Sequence, residues 1–265
     1  TKNSKHRITV SQNVMVSMRD GVRLATDIYR PADENGNFVE DRFPAIIGRT
    51  SYDKSNPVMW VDPVATAFVQ EGYVVILQDL RGRGKSEGTG EYFHTANQKE
   101  GMDGFDTIEW IGEQDWCNGK VGMVGSSHGG IVQNMASLYQ PPCLSALWVD
   151  VAPTNAFRWE ARQGGTMALQ MYGALYLHAY DSQEIANNPA AIKIIERGAE
   201  SLSEEIWKQP FRENETPLTV VPNLEKVLMH YYRDGLYNDW WKQESLNQEQ
   251  HFDLMADIPA VFSSG

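Results

Sequence analysis

Lys120-Val121-Gly122-Met123-Val124-Gly125-Ser126-Ser127-His128-Gly129-Gly130-Ile131 is the stretch on which the reading of this chain turns. A short aliphatic run ends in Gly-Ser-Ser-His-Gly, and Ile131, Met135, Leu138 and Tyr139 then recur at helical spacing. The pattern is strand, sharp turn, helix. A bare G-x-S-x-G arises by chance in roughly one chain in ten of this length, so the flanking pattern decides its meaning. In a strand-turn-helix setting the serine sits on a tight turn, with glycines removing Cβ clashes and the hydroxyl raised at the carboxyl end of the sheet. Ser127 is then a candidate nucleophile, and the backbone N–H of His128 a candidate oxyanion donor at a helix N-terminus. The competing reading is a glycine-rich strand-to-helix turn without chemistry.

Outward from this stretch the alternation continues. Pro44–Ile47, Tyr73–Leu77 and Leu144–Val151 read as buried strands; Val61, Val64, Ala65 and Phe68, then Met102, Phe105, Ile108 and Ile111, fall at helical spacing. Upstream, His6–Met18 and Val22–Tyr29 flank the turn signal Arg19-Asp20-Gly21 and read as a hairpin. Strands alternating with helices predict a mostly parallel sheet with helices on both faces. From about residue 153 to 252 the rhythm changes to helical stripes, among them Met167, Leu169, Met171, Tyr172, Leu175 and Tyr176, then Leu224, Val227, Leu228 and Tyr231, with no convincing buried strand. Ile258–Phe262 then resumes the sheet.

With 23 basic and 35 acidic residues the formal net charge is −12. Nucleic-acid binding needs clustered Lys and Arg, so a nucleic-acid partner is not expected, nor is adsorption to anionic lipid. The acidic balance would steer an amine-bearing substrate, yet it reads equally as an ordinary solvated surface. No apolar run approaches the ~20 residues of a membrane span, and no apolar leader follows the basic start Thr1–His6. The compartment stays open. The two cysteines, Cys117 and Cys143, exclude a disulfide scaffold and a cysteine-rich zinc site and read as small buried hydrophobes. No cofactor and no metal are expected. Asp79–Ser86 ends in Gly-Lys-Ser like a phosphate-binding loop, but the required upstream glycine is Asp79, so a turn tied by Asp79 and Arg81 ion pairs is preferred.

Asp79-Leu80-Arg81-Gly82-Arg83-Gly84-Lys85-Ser86-Glu87-Gly88 resembles a signature of the cocaine-esterase and Xaa-Pro dipeptidyl-peptidase family of serine hydrolases. So do Asp103-Gly104 through Ile111, Gln114–Met123 leading into the elbow, Met18–Leu24, and Thr50-Ser51-Tyr52-Asp53-Lys54. The resemblance spans about residues 13 to 152. It implies an α/β-hydrolase core with an inserted helical cap, a carboxyl-terminal β-sandwich, and hydrolysis of a small-molecule ester or amide through an acyl-enzyme. Ser127 matches the family nucleophile, and Tyr52 the tyrosine whose hydroxyl completes the oxyanion hole. His128 departs from the tyrosine common there, which leaves the backbone N–H role intact. On this reading residues 1–152 are the first part of the core, 153–252 the cap and 253–265 the return to a core strand. The sheet is incomplete in this chain. The family's acid and histidine would fall beyond Gly265, in a longer enzyme or on a companion polypeptide. The alternative is a non-catalytic α/β-hydrolase fold that binds a ligand or partner.

Of the histidines, His6 and His94 precede the elbow, against the order Ser, acid, His; His178, His230 and His251 read as cap or surface residues. Asp150, at a strand end, is expected to be structural. Trp159, Met167, Met171, Tyr172, Trp240 and Trp241 are candidates for an acyl pocket, with core packing as the competing reading.

Overall fold

The computed structural model describes residues 6–55, 61–89, 99–180 and 182–264. They fall into two compact units, one drawn from Thr1–Gly88, Gln98–Ala152 and Phe252–Gly265, the other containing Pro153–His251. His94, weighed above, lies outside the described residues, as do the side chains of Val61 and Val64.

In the first unit the chain runs β1 (Arg7–Ser17), β2 (Arg23–Ala32), β3 (Phe43–Thr50), α1 (Val61–Gln70), β4 (Val74–Asp79), α2 (Lys99–Gly112), β5 (Cys117–Ser126), α3 (His128–Leu138) and β6 (Leu144–Asp150). Two antiparallel residue pairs, Arg162↔Met167 and Gln163↔Thr166, close a small turn in the second unit; otherwise the next strand is Ala260–Ser263, here β7. Among the described residues the main sheet has seven strands in the order β1-β2-β4-β3-β5-β6-β7. The β1–β2 hairpin pairs antiparallel and β2 joins β4 antiparallel, whereas β4, β3, β5, β6 and β7 are mutually parallel. The fold is therefore α/β with a mostly parallel sheet, and the parallel strands deliver all their carboxyl ends to one edge.

Sequence explains the layers. Val74 to Asp79 is buried at every position, as a central parallel strand with both faces covered must be. One sheet face, bearing Ala45, Ile47, Val121, Met123, Leu147 and Val149, packs with Ile108 and Ile111 of α2 and Ala136 of α3. The other face meets α1 through Ala65 and Val69 against Val75 and Leu77. Phe68, part of the α1 stripe, is 36% exposed and meets the Tyr73 ring edge-on at 5.8 Å. Toward β7 that second face is open: Val124, Trp148 and Val261 lie in one cross-strand row, and Trp148 and Val261 are each about half exposed. Cys117 is buried and Cys143 half-buried, both are free thiols, and burial pushes both upward in pKa.

The hairpin is tied to the core by charge. Arg81 donates to Asp103 at 2.7 and 2.9 Å and to Asp20, in the β1–β2 turn, at 2.9 and 3.1 Å. The Arg81 hydrogen bond holds the Asp20 carboxyl below the usual carboxylate range. A lowered folded pKa means the link is fully present above the unfolded value near 4 and is lost as pH falls through the folded one. Asp20→Asn should therefore cost roughly 0.5 kcal/mol at neutral pH, a small figure because the pair is partly exposed, and remove part of the acid dependence. Thermal unfolding at pH 7 and pH 3.5 checks this; equal losses at both would overturn it.

The second unit is helical, with α4 (Gln170–Tyr180), α5 (Pro189–Glu200) and α6 (Pro222–Arg233) as its longer elements. Asn188 caps α5 by accepting from the Ala191 N–H at 3.2 Å, and Pro189 fits the first turn. Leu175, Tyr176, Ile195, Leu224, Leu228, Tyr231 and Trp241 share one buried core. The Arg162–Met167 pairing was not expected from sequence; it closes on Gly164 and Gly165, whose φ of 60° and 85° suit a tight two-residue turn. No helix among the described residues is long and apolar enough to cross a membrane.

Candidate active site

Strand β5 passes into α3 through Ser127, whose φ of 55° and ψ of −125° lie outside the regions L-residues favour. The strain is held by close packing. A Cβ on Gly125 would stand 2.7 Å from the Gly129 carbonyl oxygen, so this position has room for hydrogen alone. Gln133, one turn along α3, donates to the carbonyls of both Gly125 and Gly129 at 3.1 and 3.0 Å. The Ser127 N–H donates to the Asp150 carbonyl at 2.9 Å, and the Ser127 carbonyl accepts from Gly130 and Ile131. The turn thus presents a half-buried hydroxyl at the carboxyl edge of the sheet, directly before the first turn of α3.

The neighbouring strand β3 supplies the opposing group. After Thr50 the chain turns through Ser51-Tyr52-Asp53-Lys54, and the Tyr52 hydroxyl lies 3.4 Å from Ser127 Oγ. Among the described residues that hydroxyl is the hydrogen-bond partner of Ser127 Oγ, and no histidine ring is. Asp53 takes φ of 62°, and its carboxylate accepts from the Ser55 N–H at 2.8 Å, which stabilises the reversal. Lys54 is buried: its ammonium donates to Asn13 at 2.8 Å and lies 3.4 and 3.5 Å from the carboxylates of Asp27 and Asp79.

Asp79 gathers the glycine-rich turn as well. Its carboxylate accepts the Lys54 N–H at 2.6 Å and the Lys85 N–H at 3.0 Å, and a Cβ on Gly84 would stand 2.4 Å from it. Burial pushes the Asp79 pKa up against these hydrogen bonds. The Gly-Lys-Ser segment wraps the chain's own carboxylate, which explains why it imitates a phosphate loop. Its ion pairs run from Asp79 to Lys54 and from Arg81 to Asp103 and Asp20.

His128 is buried, 1% exposed. Its Nδ1 is hydrogen-bonded to Ser51 Oγ at 2.9 Å, and its Nε2 lies 3.5 Å from a Glu100 carboxylate oxygen. The ring nitrogens thus face Ser51 and Glu100 rather than Ser127 Oγ. Beneath, Arg49 is buried and donates to Gln78 and to the Glu100 carbonyl, each at 2.9 Å; desolvation pulls its pKa down. The sequence reading missed Ser51, Arg49 and Glu100 as parts of the site.

Other candidates separate from it. Asp150 accepts from Ser263 Oγ at 2.5 Å, joining β6 to β7, a structural part. His6 meets the Phe43 ring edge-on at 5.8 Å. In the second unit His178 is buried, and His230 bonds Asp234 at 2.8 Å while stacking on Trp240 at 4.4 Å. Met171, Tyr172 and Trp241 are packed into that unit's core, with Met167 and Trp240 partly buried against it, so the core reading replaces the pocket reading for these residues. The helical 3–4 spacing that marked them is the spacing of a core stripe. Trp159 is 61% exposed and donates through its indole N–H to Glu249 at 2.9 Å. Among the described residues no cluster of three His, Cys, Asp or Glu is placed to hold a metal ion.

The chain that places this serine against this tyrosine has relatives among known proteins. Residues 20–265 match the X-Pro dipeptidyl-peptidase (S15) family. The chain belongs to that family. It is 38% identical over 166 residues to the cocaine esterase of Rhodococcus sp., a match that covers 61% of this chain and 27% of the esterase. Its fold is similar to an aminopeptidase from a marine sediment Thaumarchaeota archaeon, with a TM-score of 0.68 at 19% identity over 100% of this chain and 44% of that one. It is also similar to a CocE/NonD family hydrolase from Staphylococcus aureus, with a TM-score of 0.63 at 22% identity over 92% of this chain and 39% of the hydrolase. These two likenesses concern the fold, an α/β-hydrolase-type core. The S15-family chain therefore spans a minor part of the length of the relatives it matches.

Proposed function

We propose that this S15-family chain is the amino-terminal part of a longer serine hydrolase that cleaves an ester or amide bond through a Ser127 acyl-enzyme. The observation that supports this most is the pairing of a Ser127 hydroxyl raised on a strained turn with the Tyr52 hydroxyl 3.4 Å away. Ser127 Oγ attacks the acyl carbon. The negative charge that develops on the carbonyl oxygen is received by the Tyr52 O–H and the His128 backbone N–H, donors held in place before the reaction begins. The leaving group departs with a proton, and water then releases the acyl group. A serine hydroxyl needs a base to attack at neutral pH. In this reading the histidine and its acid partner come from residues outside this chain, in the same polypeptide or in a companion.

An intact-mass spectrum after fluorophosphonate treatment tests the reading, since the reagent phosphonylates an activated serine. The full-length protein is expected to gain one adduct, mapped by peptide sequencing to Ser127. An adduct at another serine, or none, would overturn it.

A further inference from the structure

The backbone ladder between β3 and β5 ends at Ile47 and Met123, four residues before Ser51 and Ser127 respectively. On the outer sides pairing goes further: β3 stays with β4 as far as Thr50 and Asp79, and β5 with β6 as far as Ser126 and Asp150. The β3–β5 ladder thus stops short of the site, with Tyr52 following one strand and Ser127 the other. Backbone hydrogen bonds between β3 and β5 do not set the Tyr52–Ser127 separation. A side-chain link spans the gap. His128, rooted in α3, reaches across to Ser51 Oγ, the residue immediately before Tyr52, and its other ring nitrogen faces Glu100 from α2. Arg49 fixes the Glu100 backbone through its carbonyl. On the far side of Tyr52 the segment is held by Lys54 among Asn13, Asp27 and Asp79. Tyr52, whose own N–H donates to Thr50 Oγ1 at 3.0 Å, lies between these two anchors, one of them attached to the helix that follows Ser127.

We propose that the His128 imidazole is a positioning residue for the oxyanion site: by gripping Ser51 it sets the distance of the Tyr52 hydroxyl from Ser127 Oγ. This role is separate from that of the His128 backbone N–H and rests on the acyl-enzyme reading above. It also gives a reason for a buried histidine beside the nucleophile whose ring nitrogens are turned away from the serine. A buried polar group calls for a hydrogen-bond partner, and for the ring Nδ1 that partner is the residue that follows β3.

The test is a double-mutant cycle in the full-length protein, read as kcat and KM for 4-nitrophenyl acetate. Ser51→Ala removes the grip with little change in volume and should lower kcat about tenfold, the worth of one well-placed hydrogen bond, with KM within about twofold. His128→Phe keeps the backbone N–H and a planar ring, and should do the same; it replaces Ser51→Ala in the cycle if that variant does not fold. In a Tyr52→Phe background either change should cost nothing more, because the group being positioned is gone. Losses that multiply across the cycle, or a wild-type kcat in the single variant, would overturn the positioning role and leave the acyl-enzyme reading standing. A wild-type kcat in Tyr52→Phe alone would overturn both the Tyr52 assignment and the positioning role. Turnover retained by a Ser127 variant would overturn the reading on which both rest.

Discussion

Ser127→Ala should reduce ester or amide turnover by the full-length protein to the background rate, a loss on the order of 10⁶ in kcat for removal of a nucleophile that works as part of a unit. Two structural facts make the expectation sharp. Ser126, the next serine along, ends strand β5 and pairs with Asp150, so it belongs to the sheet ladder and not to the turn. Among the described residues the Ser127 hydroxyl has one hydrogen-bond partner, the Tyr52 hydroxyl, so losing its oxygen leaves the elbow's backbone bonds to Asp150, Gly130 and Ile131 in place. The variant should therefore fold and bind ligand while failing to turn over. The check is kcat beside a thermal melt; turnover within tenfold of the parent at unchanged stability would refute the assignment.

Tyr52→Phe should lower kcat by about 10²–10³, the usual loss for one oxyanion donor, while KM changes little. A donor that tightens on the charge developing in the transition state, and less on the neutral carbonyl, shows its loss in kcat. The 3.4 Å separation from Ser127 Oγ is loose for a hydrogen bond, and catalytic contacts of this kind tighten in the reacting complex. Steady-state rates on the purified variant decide it. A drop in kcat/KM produced wholly by KM would make Tyr52 a binding residue instead.

The core layers were legible because hydrophobic period is a local property. Val74–Asp79 is continuous in burial, and Leu224, Val227, Leu228 and Tyr231 sit on the buried stripe of α6 that their spacing predicts. The elbow was legible for another reason: a turn this tight restricts residue type, and Gly125, where a Cβ would stand 2.7 Å from the Gly129 carbonyl oxygen, is the trace of that restriction. Ser51, Arg49 and Glu100 left no such trace. Their contacts join β3, α2 and α3 across long gaps in the chain, and a serine, an arginine and a glutamate in sequence read as surface residues until the sheet order brings them inside. The six aromatics and methionines of the second unit illustrate the opposite limit. Helical spacing marks a buried face, and a core residue and a pocket residue share it; packing placed Met171, Tyr172 and Trp241 in the core. The Arg162–Met167 pairing escaped because two residue pairs are too few for alternation to register.

The backbone of the elbow also restricts which other side chains could ever stand at its tip. At φ of 55° and ψ of −125° a branched Cβ crowds the chain's own carbonyl groups, so the position favours glycine or a small unbranched side chain such as serine or cysteine over threonine. Exchange of the hydroxyl for a thiol is open to this scaffold in one step, since the swap alters chemistry without asking the main chain to move. A secondary alcohol would add strain there. An engineer who wishes to change the side chain at this tip meets the same restriction.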